Sequence, residues 1–339
     1  ARPDAQGLHL HADKNILSLN GERYHVQKDA GRYFIQHPTR PSAYRPAVMT
    51  NGQGAWVTEL ENPLSWDSTT LMRRLGYQTD SLSDAQLAQV RDSSATHDNT
   101  LRKTHSTQQP PPPLLADTLK RFKIDQQLQE FVTQMNSDDP AIYAKADPQT
   151  QLQLLISYGL WPSGKTLRVV DASGNILWEF LGESGASTVQ VLEEQLRNGD
   201  LLPTLIDSLN EPERKELLEE EFGLPPASSR TRAAALRKKL ARIAQDKRFS
   251  LFDSRYRGQD RTSDPRVQKL IDSASRPGLP TPVAEELLAG ASGEELKSID
   301  AGNVPTRLTE LAEWSLHEVR TTRAYEGLYL DAVVRTSCN

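Results

Sequence analysis

The chain has 339 residues, 37% of them hydrophobic, a formal charge of −5 and a single cysteine, Cys338. One cysteine excludes a disulfide framework and a cysteine metal site, and the negative charge argues against wholesale attraction to nucleic acid or to membranes. The length suits two or three domains at roughly 100–200 residues each, and no stretch approaches the ~18 apolar residues of a membrane helix.

Residues 8–60 read as an antiparallel β-meander. His9-Leu10-His11, Ile16-Leu17-Ser18-Leu19, Tyr24-His25-Val26, Tyr33-Phe34-Ile35, Ala47-Val48-Met49 and Ala55-Trp56-Val57 supply the strands. Asn20-Gly21 between alternating apolar and polar residues is the strongest short hairpin signal. Residues 1–66 form this module, and residues 67–113 read as a helical connector. Asp67 or Ser68 caps a helix that Gly76 stops. The polar run 83–105, with few apolar anchors (Leu87, Val90, Leu101), predicts an exposed or partly disordered helix. Pro110 to Pro113 then form a proline linker or helix entry.

From Leu114 onward the chain predicts a mostly helical body, 114–339. Leu115, Leu119, Phe122, Leu128, Phe131, Val132 and Met135 recur at helical spacing. The stretch 152–182 sits at its centre. Gly159 and Pro162 end a helix there, and two β-rich runs around Asp171-Ala172-Ser173-Gly174-Asn175 predict a hairpin near 167–181. Residues 188–197 and 201–209 read as helices. Residues 193–222 then hold ten acidic against three basic residues, and 230–261 hold eleven basic against three acidic. Such adjacent helices of opposite charge suit antiparallel pairing. Short helices around 264–275, 282–288 and 294–299 precede a long one from about Thr306. The fold class expected is therefore α+β, a meander followed by a helical body with one central hairpin.

The chemistry-bearing residues each have a bland reading. Arg237, Lys238, Lys239 and Arg242 form a candidate anion-binding face for lipid or phosphate. They read more simply as a solvated face beside the acidic helix, without the interleaved aromatics that stack bases. Cys338 with His317 has the composition of a nucleophile and base, but a terminal tail holds no rigid geometry. His9, His11 and His25 lack an acidic partner at ligand spacing. Ser137-Asp138-Asp139 before Pro140 reads as a helix cap. Lys165 in SGKT lacks the first glycine of a phosphate loop and precedes a strand. Trp56, Trp66, Trp161, Trp178 and Trp314 are expected to pack in cores or against sheets. The residues thus name no catalytic set, no cofactor site and no metal site.

Whole segments carry a resemblance. LNGERYHVQ, YRPAVMTNGQGAWVTELENPLSW with LMRRLG, PPLLADTLKRFKID, the central hairpin, LFDSRYRG, VPTRLTELAEWSLHEVR and RAYEGLYLDAV resemble the dermonecrotic-toxin N-terminal region of very large, chiefly pseudomonad, proteins. Many of these continue into leucine-rich repeats and a novel-type E3 ubiquitin ligase domain. The resemblance implies a non-catalytic scaffold or interaction segment of a secreted or translocated toxin, lying before a catalytic domain and meeting a host or bacterial protein. The ligase nucleophile of that family stands in a Cys-x-Asp context, which Cys338-Asn339 does not provide. Both ends, ARPDAQG and RTSCN, read as cut from a longer protein, with no signal peptide in view. Two other readings stay open: a host-protein-modifying enzyme with a pocket between the β module and the helical body, and an anionic lipid or phosphate-binding module using residues 230–261.

Overall fold

The N-terminal strands β1 (Leu8–His11), β2 (Lys14–Leu19), β3 (Glu22–Asp29), β4 (Arg32–Ile35), β5 (Ala47–Thr50) and β6 (Trp56–Thr58) form one antiparallel sheet in sequential order. The structure, a computed structural model, describes residues 3–219, 227–274 and 278–330. Asn20 and Gly21 both have positive φ, as a type I′ turn requires, and so do Ala12-Asp13 and Ala30-Gly31 at the neighbouring turns. Leu8 pairs with Leu17, and Leu17 with Tyr24, so one sheet face gathers Leu8, Leu17, Leu19, Val26, Val48 and Trp56. Trp56 closes this core, edge-on to Tyr33 at 5.0 Å and donating its indole N–H to the Gln6 carbonyl at 2.6 Å.

The helices α1 (Ser68–Arg73), α2 (Asp84–Ser93), α3 (Asp98–Ser106) and α4 (Pro113–Asn136) follow. Asp67 caps α1 through the Thr70 amide at 2.7 Å. The polar run 83–105 is two short helices with a buried face, not one exposed helix. Ser83 and Gln86 form a capping box on α2, while Leu87, Val90 and Leu101 are fully buried. Ala95, at φ 50°, breaks the run between the helices. Three anchors suffice because both helices are short and lie against α1 or its neighbours.

Next come α5 (Pro140–Tyr143), α6 (Pro148–Ser157), β7 (Lys165–Val170), β8 (Ile176–Phe180) and β9 (Ser187–Leu192). The predicted hairpin is present, with Val169 opposite Trp178 and Leu167 opposite Phe180. Residues 188–197, expected to be one helix, instead begin as β9, which pairs parallel to β7 on its other side. The alternation Val189-Gln190-Val191, buried on one side and exposed on the other, has a period of two and fits a strand. Only 193–197 is helical, as α7 (Glu193–Arg197).

The remaining helices are α8 (Leu201–Ser208), α9 (Glu211–Leu218), α10 (Ser229–Asp246), α11 (Arg248–Gln259), α12 (Pro265–Ser273), α13 (Thr281–Ala289), α14 (Gly293–Asp300) and α15 (Thr306–Glu326). The acidic and basic helices do meet, but in the same sense. Glu211 pairs with Arg232 at 2.5 Å and Glu219 with Lys239 at 2.8 Å, so the contact advances along α9 and α10 together.

The chain divides into two units, Ala1–Gln126 with Arg255–Asn339, and Gln127–Ser254. The first therefore takes residues from the meander, the connector and the helical body. Its C-terminal core joins Val267, Leu270, Val283, Ala284, Ile299, Leu308, Ala312 and Leu316. In the second, Leu167, Val169 and Val170 of β7 and Leu236, Leu240 and Ala244 of α10 are buried. Of the five tryptophans, Trp56 and Trp161 are buried, while Trp314, expected in a core or against a sheet, is 74% exposed.

Candidate functional site

Burial of charge is the most distinctive chemistry of the first unit. On α4, Leu115, Asp117, Thr118, Leu119, Arg121, Phe122 and Ile124 are all buried, so the helix is enclosed on every side. A helix so enclosed must pair its charges internally. Glu326 of α15, fully buried, accepts from Thr118 Oγ1 at 3.0 Å, Arg121 Nε at 2.6 Å and Arg323 Nη1 at 2.9 Å. Asp117, also fully buried, accepts from the Tyr256 hydroxyl at 2.5 Å, and its other oxygen lies 2.6 Å from Arg323 Nη2. The Arg121 and Arg323 guanidinium carbons stand 4.9 and 5.5 Å from the Tyr256 ring centre, a cation–π arrangement. Two carboxylates thus face two guanidiniums around one phenol.

Electrostatics acts on two members of this cluster. Burial, with the Asp117 charge adding to it, drives the Tyr256 phenol far above its ordinary range, so it remains a donor. For Arg323 burial works against the charge, but Asp117 and Glu326 outweigh it and hold the guanidinium protonated. Beside the cluster, Lys120 Nζ reaches Asp260 Oδ1 at 2.9 Å, and Thr281 Oγ1 donates to the Asp260 carbonyl at 2.8 Å. The spacing Asp117, Thr118, Arg121 and the pair Arg323, Glu326 put these groups on facing helix surfaces. Sequence reasoning missed the cluster. Its signal was present, since Asp117 and Arg121 interrupt the apolar run Leu115, Leu119, Phe122.

A cleft of about 660 Å³ opens in the same unit, within the range of roughly 300–1,000 Å³ typical of ligand pockets. It is lined by Thr100, Lys103 and Thr104 of α3, Thr107 just after that helix, Pro110 to Pro113, Glu285 and Glu286 of α13, and Gln53 from the β5–β6 loop. Its ionisable groups, Lys103, Glu285 and Glu286, are solvent-exposed, and none of the buried cluster lines it.

The candidate anion face on α10 is divided by its own partners. Arg237 is buried, 4.0 Å over the Tyr143 ring, donating to the Met135 carbonyl at 3.0 Å and to Asp138 at 3.1 Å. Lys238 shares Asp138 at 3.0 Å, and Lys239 donates to the Leu217 carbonyl at 2.9 Å and to Glu219 at 2.8 Å. The Lys238 bond, with its charge and that of Arg237, holds the Asp138 carboxyl below its usual range. Arg242 is exposed and adds its field to Glu219.

The other candidates fall into ordinary places. Asp139 caps α5 by accepting from the Ala141 amide at 2.9 Å, while Asp138 serves the two cations. His9 and His25 both stand opposite Ile16, which separates them across the sheet. Lys165 begins β7 and bonds Ser187 Oγ at 3.3 Å. His317 is exposed on α15, and Cys338 lies outside the described residues. Among the described residues, no three His, Cys, Asp or Glu side chains gather to hold a metal, and no helix is long and apolar enough to cross a membrane.

Comparison with known proteins returned no matching family model, no matching curated protein and no matching solved structure.

Proposed function

We propose that the chain is a non-catalytic interaction or scaffold segment of a large secreted bacterial toxin or effector, placed before a catalytic, ubiquitin-ligase-type domain and meeting a host or bacterial protein. One observation carries the reading: the buried carboxylates and guanidiniums described above are paired within the fold, while large apolar side chains stand in water. Asp117, Arg121 and Glu326 are consumed in joining helices, as are Arg232 and Arg237 in the other unit. By contrast Ile176 and Leu177 on the edge strand β8 are 51% and 52% exposed, and Leu181 just after it 70%. Rigid elements presenting apolar side chains are what protein contact surfaces are made of. The segment phrases quoted above supply the bacterial context.

A ubiquitin-transfer assay tests this. The chain alone is expected to transfer nothing, and a longer parent carrying the downstream domain to be active. Transfer by the chain itself, lost in Cys338→Ala, would overturn the reading.

A second reading, an enzyme that modifies host proteins, has the cleft beside the β5–β6 loop in its favour. Under it, Lys103→Met or Glu286→Gln abolishes an activity of the chain on host proteins. Under the scaffold reading neither substitution has an activity to remove.

A further inference from the structure

The face of α15 turned away from its own core has an order of its own. Leu308, Ala312, Leu316 and Val319 point inward and are buried. On the opposite side Leu311, Trp314, Glu318, Thr321, Tyr325 and, in the turn after the helix, Leu328 recur every three or four residues, which is one stripe at about 100° per residue. Trp314 is 74% exposed, Leu328 71%, Tyr325 53% and Leu311 36%. From either end the stripe reads leucine, aromatic, polar, polar, aromatic, leucine.

Such a sequence is complementary to itself reversed. A two-fold axis makes an isologous contact, in which residue i of one copy meets j of the other and j meets i. We propose that α15 is a two-fold interface between two copies of this chain, packed antiparallel about a centre between Glu318 and Thr321. Leu311 of one copy then meets Leu328 of the second, Trp314 meets Tyr325, and Glu318 meets the uncharged Thr321. A parallel pairing sets Glu318 directly on Glu318, with two like charges at the centre. The antiparallel register offsets them and places the exposed imidazole of His317 next to the facing Glu318. The leucine-to-leucine span is about 26 Å at the ~1.5 Å rise of a helix, so the contact belongs to the small class burying less than ~1,200 Å² in total. Association in the micromolar range is expected. The pairing does not depend on the toxin context proposed above, since it uses only this chain.

Sedimentation equilibrium of the whole chain from low to high micromolar concentration is the test. A monomer–dimer equilibrium is expected, weakened at least tenfold by Trp314→Ala and by Tyr325→Ala. Both side chains are more than half exposed, so circular dichroism of the variants should match the parent. Orientation is read by cross-linking in a Cys338→Ala background. Leu311→Cys mixed with Leu328→Cys should form a disulfide-linked dimer, and Leu311→Cys alone should not. A chain monomeric throughout, a dimer indifferent to both alanine substitutions, or linkage of Leu311→Cys to itself would each overturn the proposal.

Discussion

His105 is held inside the first unit with one ring nitrogen bonded to the Leu71 carbonyl at 2.8 Å and the other facing no partner. Burial, helped by the nearby Arg74 charge and opposed by the Leu71 bond, lowers its pKa below the ordinary value. The folded protein therefore keeps the imidazole neutral where the unfolded chain protonates it. Below about pH 6.5, the ordinary histidine value, the unfolded state binds more protons, and stability declines as pH falls from there. Thermal melts at pH 7 and pH 5 should show this loss, and His105→Gln should flatten it. An unchanged slope in the variant would assign the loss elsewhere.

Arg74, also buried, lies 4.5 Å over the Trp66 ring, donates to Glu61 at 2.5 and 2.8 Å and to the Trp56 carbonyl at 2.7 Å. Burial raises the Glu61 pKa, but the bonds from Arg74 and the Thr58 amide outweigh it, so its carboxyl sits below the usual range. That contribution is present above the unfolded glutamate value and disappears as pH falls through the folded one, a window more acidic than that of His105. Arg74→Ala leaves Glu61 partly buried without its counter-charge, and should cost about 3 kcal/mol in denaturant unfolding. Neither residue was legible beforehand. A histidine in a polar run and an arginine after a short helix announce no burial, because their partners lie far off in sequence.

At the scale of elements, α1 ends where Gly76 meets Gly54. Gly76 has φ +122°, and a Cβ there would lie 2.5 Å from the Gly54 carbonyl oxygen. Backbone on backbone cannot yield as a flexible side chain can. Gly76→Ala is expected to destabilise by roughly 2–3 kcal/mol, from strain and displacement together. The sequence identified Gly76 as a helix stop, which it is, but not as the point where the connector touches the β5–β6 loop. The junction of α4 and α15 makes a sharper test. Glu326→Gln keeps shape and removes the charge that Arg121 and Arg323 share, so buried guanidiniums lose compensation. About 3 kcal/mol of stability, a fall in Tm on the order of 10 °C, is expected. Arg121→Met with Glu326→Leu, which removes both an acid and a base, should recover part of it. A double variant no better than Glu326→Gln alone would show that the hydrogen bonds, not the unpaired charge, set the cost.

For the whole molecule, legibility followed the reach of the interaction. The six meander strands, the hairpin at 167–181 and the helices from α12 to α15 are encoded in alternation, turn residues and caps within a few positions of themselves. What escaped was non-local: β9 joining β7 in parallel, α9 and α10 running in the same sense, and the carboxylates of α4 and α15 meeting each other's arginines across some two hundred residues. The same distinction predicts where each unit is held most firmly. Strand β7 is bonded on both sides, and Leu167, Val169 and Val170 are at most 2% exposed, whereas the loop 171–175, exposed from Ala172 to Asn175, is bonded within itself by the Asp171 side chain and two backbone bonds. Leu119 to Leu128 of α4 and Leu236 to Ala244 of α10 are likewise anchored by buried residues at every turn. Amides that open only with the unit itself exchange at a rate set by global stability, and those in exposed turns by local fraying. Hydrogen exchange at neutral pH should thus be at least on the order of a thousandfold slower in β7 than in the adjoining turn, given unfolding free energies of about 5–15 kcal/mol. β8, paired along one edge and exposed at Ile176 and Leu177, should fall between them. If β7 exchanged as fast as β8, the three-stranded sheet would not be a cooperative part of its unit, and the β9 pairing that local sequence did not reveal would be the first feature to abandon.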